Sequence, residues 1–123
     1  MSDTPDSMME AFESRLTTVY IGLVSVCENL PVPITLPTGV VHSKELVQTV
    51  RRVADIAEEQ PMPEEQHAML YTGAVMWLAA ADLFGILTRT DYVEARAAGG
   101  LGILLIAGDS ISELGAWLLD NEI

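Results

Sequence analysis

Basic residues are scarce in this chain. Lys44 is the only lysine, and six bases face eighteen acids, for a formal net charge of −12. A surface of that sign lacks the phosphate contacts that direct nucleic-acid binding requires. Anionic lipid would repel it as well. Neither nucleic acid nor a membrane surface is an expected partner; an acidic surface suits solubility, basic protein partners or mimicry of a polyanion. Cysteine is reduced to Cys27. That excludes an intrachain disulfide and fits a reducing, cytoplasmic compartment. Cys27 lies in an apolar-periodic run and reads as a buried thiol rather than a nucleophile. Histidine is limited to His42 and His67, too few for a Cys/His ligand set. The chain has no glycine-rich phosphate loop and no Gly-x-Ser-x-Gly elbow. Residues 1–6 show neither the basic nor the apolar region of a secretory leader. No internal repeat and no second domain is legible.

Apolar residues are abundant, at 50% of the 123, and only 20% are charged. A chain of this length and composition is expected to form one domain and to bury roughly two-thirds of its unfolded surface. Helical periodicity dominates it. Met9, Phe12, Leu16, Val19, Leu23, Val26 and Leu30 recur at alternating spacings of 3 and 4, which is a heptad seam. This predicts a first helix over about 5–30, capped by Asp3 or Thr4 with Pro5 in its first turn. The seam is long enough to pair with a copy of itself, so this helix is the expected homodimer contact. "PVPITLPTGV" at 31–40 then stops any helix. Val32, Ile34 and Leu36 alternate there, predicting an extended arm with one face against the body.

A second helix is predicted over 43–60, with Leu46, Val50, Val53 and Ala57 as its stripe, and a third over 63–87. Asp91 and Glu94 have a capping-box spacing, so a short helix over 91–98 follows. Gly99, Gly100 and Gly102 are expected to loosen the chain before a last helix over 101–119. A break in that helix near Gly108, with a restart beyond it, is expected, because Ser110 and Glu113 repeat the capping spacing. The expected fold is an all-α four-helix bundle with a Pro-rich extended connection between the first two helices.

"AMLYTGAVMWLAAADLFGIL" at 68–87 is long enough to cross a bilayer at ~30 Å. Asp82 near its centre would be costly in lipid, and the preceding flank is acidic, against the usual orientation signal. The expectation is a buried central helix of a bundle. Asp82 is then a buried-acid candidate. Asp109 and Glu113, one turn apart, could face the same cavity.

"EEQPMPEEQH" at 58–67 contains Glu64 and His67 in the Glu-x-x-His spacing of carboxylate-bridged metal sites. Such sites need more ligands than this chain offers, and His42 stands in the reverse order before Glu45. Glu64 and Glu65 also suit the first turn of a helix, where the macrodipole favours acids. Glu10 with Glu13, and Asp55 with Glu58, repeat an acid-x-x-acid spacing. That is similar to the magnesium sites of all-α nucleoside triphosphate pyrophosphatases, and oxygen ligands of this kind suit Mg²⁺. The leading expectation is a non-enzymatic, acidic helical interaction or regulatory module. It would bind another protein as a homodimer, without a cofactor, through Glu10, Glu13, Asp55, Glu58 and Glu59. The alternative is a carboxylate-dependent, Mg²⁺-using enzyme acting on a nucleotide. It requires those acids to converge.

Overall fold

The computed structural model describes residues 4–39 and 43–121. Among them are four α-helices and no strand: α1 (Pro5–Glu28), α2 (Ser43–Ile56), α3 (Glu64–Arg89) and α4 (Glu94–Asp120). A 3-10 turn at Ala57–Glu59 extends α2. The expected all-α bundle is what the chain forms. The cap candidate Asp3 lies outside the described residues, and so does His42. The Thr4 hydroxyl accepts the Ser7 amide at 3.1 Å, satisfying one of the orphan donors at the start of α1.

The arm determines the topology. It leaves α1 at its C-terminal end, where the Ile34 amide donates to the Cys27 carbonyl at 2.8 Å. It then runs back down the bundle, and the Tyr20 hydroxyl donates to the Pro37 carbonyl at 2.6 Å. This return, in backbone that the prolines keep out of helix, makes α2 start beside the lower half of α1 and run parallel to it. Short turns then reverse the chain into α3 and again into α4. Phe12 meets Gly100, Val19 meets Gly108 and Val26 meets Gly115, so α1 and α4 are parallel although they are the first and last elements.

Gln60, almost fully buried, anchors the far end. Its side-chain amide accepts from the Val32 N–H at 3.0 Å and donates to the Val32 carbonyl at 2.8 Å. It pairs with the arm as a neighbouring strand would. This also limits the expected alternation of the arm: Leu36 is buried and Ile34 half-buried, but Val32 is held by its backbone and its side chain is exposed.

Helix α3 is central and packs against the other three, while among the described residues the backbones of α1 and α2 stay more than 8 Å apart. The seam of α1 faces inward. Phe12, Val19, Leu23, Val26 and Leu30 are buried against the body, each large side chain contributing about 1.5–3 kcal/mol. Phe12 meets Phe84 edge-on at 5.3 Å between ring centres. The Trp77 indole N–H donates to the Leu16 carbonyl at 2.9 Å. These seam residues are therefore occupied within the chain.

Two further expectations are corrected. The last helix is continuous from Glu94 to Asp120, with neither a separate helix over 91–98 nor a restart after Gly108. Val93 occupies the N-cap position, so Asp91 does not cap it. The glycines are helical because of packing: a side chain on Gly100 would collide with the Phe12 ring, and one on Gly73 would collide with Ile111. Both α3 and α4 are long and apolar enough to cross a membrane. Their charge-free runs are shorter, however. Asp82 and Asp109 end them at residues 66–81 and 97–108, roughly 24 and 18 Å of helix against a hydrocarbon core of about 30 Å.

Candidate functional site

A cleft of about 910 Å³ opens between the separated backbones of α1 and α2, over α3. Trp77, Ala81 and Phe84 of α3 form its floor. Leu16, Tyr20 and Ile21 come from α1, Leu46 and Val47 from α2, and Pro37 to Gly39 of the arm stand at its side. Tyr20 stacks obliquely on Trp77, with ring centres 5.7 Å apart. Burial, and secondarily the neighbouring Cys27, pushes its phenol above the ordinary range. Its O–H therefore stays protonated and donates to Pro37. Ile21, at 61% exposure, is an apolar side chain left open beside the cleft.

The charges around this cleft differ from those of the molecule as a whole. Lys44 and Arg51 of α2 and Arg89 of α3 line it, half of the protein's six bases, against two acids, Glu13 and Asp82. Arg89 lies back along its own helix, so that a β-carbon on Gly85 would come within 3.4 Å of the guanidinium. Sequence reasoning did not bring these three bases together. The available signal was spacing: Asp82, Gly85 and Arg89 fall at i, i+3 and i+7 on one face of α3, and Lys44 and Arg51 fall at i and i+7 on α2.

A second concavity, about 790 Å³, lies on the opposite side of α1, between α1 and α4. Ala11, Arg15, Gly22, Gly102, Leu105 and Asp109 are among its walls. Leu105 is 64% exposed and the adjacent Ile106 51%. A smaller hollow of about 510 Å³ holds Trp117 with Pro31 and Pro61.

The expected site residues are dispersed over these features. Asp82, Asp109 and Glu113 are all exposed, which corrects their reading as buried acids. Asp82 borders the α1–α2 cleft and Asp109 the α1–α4 groove, so they do not share a cavity. Glu10 and Glu13 sit in the lower half of α1, near the level of Phe84, to which Phe12 packs. Asp55, Glu58 and Glu59 lie towards the other end, where Gln60 meets Val32. The two sets therefore lie towards opposite ends of the bundle. They do not converge as shared oxygen ligands must.

Glu64 is exposed in the first turn of α3. The His67 ring donates from Nε2 to the Gln60 carbonyl, which commits that nitrogen to a backbone partner. No group of three or more His, Cys, Asp or Glu side chains able to hold a metal ion occurs among the described residues. Cys27 is fully buried, and burial first, then the neighbouring Glu28, pushes its thiol up to about 12. Every buried side-chain nitrogen and oxygen among the described residues has a hydrogen-bond partner. No family model, curated protein or solved structure matches this chain.

Proposed function

We propose that the protein is a cytoplasmic helical interaction module that self-associates through the outer face of α4, in place of the seam of α1. The observation that supports this is the open apolar stretch at 97–108. It has no charged residue, and it exposes Leu105 and Ile106 while its opposite face, Leu104 and Ala107, is buried. Contiguous apolar exposure on an otherwise acidic surface marks a contact surface. The acids flanking it, with those of α1 and α2, carry the like charge that keeps other contacts between copies weak. The dispersal of Glu10, Glu13, Asp55 and Glu58 leaves the nucleotide-enzyme reading without its ligand set.

Sedimentation equilibrium of the intact chain tests this. A mass twice 13.3 kDa is expected, and the dimer should strengthen with salt as the repulsion between two acidic copies is screened. Leu105→Glu should weaken it by about tenfold or more. A monomer at all concentrations, or a dimer that Leu105→Glu leaves intact, overturns the reading.

A further inference from the structure

We infer that the α1–α2 cleft binds one small anionic amphiphile, an apolar body ending in a single anionic group such as a carboxylate. The inference does not depend on self-association through α4, which lies on another face.

Three properties of the cleft select this ligand. Its volume, about 910 Å³, falls within the roughly 300–1,000 Å³ of small-molecule sites. Its floor and walls are aromatic and aliphatic, led by Trp77, Phe84, Tyr20 and Leu46, so an apolar chain gains burial there. Its charge runs against that of the molecule. A protein of net charge −12 repels anions from most of its surface, yet the cleft collects three bases against two acids. Lys44 stands in the first turn of α2, and Arg89 ends α3 with its guanidinium folded back over Gly85. Arginine and lysine at the border of an apolar cleft give an anionic head charge-assisted hydrogen bonds while its tail lies on the floor. A cationic amphiphile would have only Glu13 and Asp82, and it would face the excess of bases.

Isothermal titration with decanoate below its micellar concentration tests the assignment, with decanol and decyltrimethylammonium as the neutral and cationic counterparts. The Trp117→Phe variant, which leaves Trp77 as the only tryptophan, provides a fluorescence readout from within the cleft. Saturable one-to-one binding of decanoate is expected, tighter than either counterpart, with a change in Trp77 emission. Arg89→Gln and Lys44→Gln each exchange an exposed charge for an amide. Each should weaken decanoate by about tenfold and leave decanol binding and the melting temperature unchanged. Preference for the cation, equal binding of all three, or no binding overturns the inference. So does decanoate binding that both charge variants leave intact. Association with phosphatidylglycerol vesicles but not with free decanoate would also overturn it, by assigning the bases to a lipid surface.

Discussion

The ring of Phe12 occupies the space that a side chain on Gly100 would need. Phe12 is fully buried and Gly100 sits in the interior of α4, so the first and last helices meet where one of them has no side chain.

Glycine at neighbouring positions should therefore respond in opposite ways to the same substitution. Gly100→Ala is expected to cost about 1–3 kcal/mol, because overpacking against the ring exceeds the gain in helix propensity. Gly99→Ala, where a β-carbon would meet nothing within 4 Å, should stabilise by about 0.5–1 kcal/mol. Urea denaturation of both variants checks the pair. Equal effects would mean that Phe12 does not dictate the glycine.

The arm should loosen when Gln60 loses its amide. Gln60→Leu removes both bonds to Val32 at similar side-chain size, and should cost about 1–3 kcal/mol. Hydrogen exchange at the Val32 amide should rise selectively, while Ile34, whose amide bonds to Cys27, stays protected.

Alkaline pH should destabilise the protein through Cys27. The thiol's folded pKa, about 12, lies above its ordinary 9.0, so the native state holds this proton more tightly than the unfolded chain. That contribution is intact below pH 9 and is lost as pH rises from 9 towards 12, amounting to about 1–3 kcal/mol by pH 11. The raised phenol of Tyr20 acts in the same direction. Thermal melts from pH 7 to 11 should show this decline, and Cys27→Ala, though less stable at neutral pH, should decline less steeply. A thiol reagent at pH 8 should modify Cys27 only on unfolding.

The helices and the core of α1 could be read from the sequence because periodicity is a local signal: the residues from Phe12 to Leu30 announce one face without reference to any partner. The continuity of α4 could not be read this way. Gly99, Gly100 and Gly102 look like a break by propensity, and the packing of Phe12 that makes Gly100 an asset comes from 88 positions earlier. Asp82 misled for a related reason. Its neighbours are apolar, but the backbones of α1 and α2 stay apart over α3, a separation that no local pattern encodes. The cleft was out of reach on the same grounds, since its three bases become neighbours only once α2 runs parallel to α1.

The parallel pairing of α1 with α4 has a consequence during synthesis. Helix α1 is translated first, and the helix that covers much of its seam is translated last. At about 5–20 residues per second, the ribosome needs roughly 5–18 s between Glu28 and Asp120. For that interval Phe12, Val19 and Val26 lack their α4 partner. The nascent chain therefore presents an apolar helix to chaperones and to other nascent chains before it can close its own core, a hazard set by the order of its helices rather than by the stability of the finished fold.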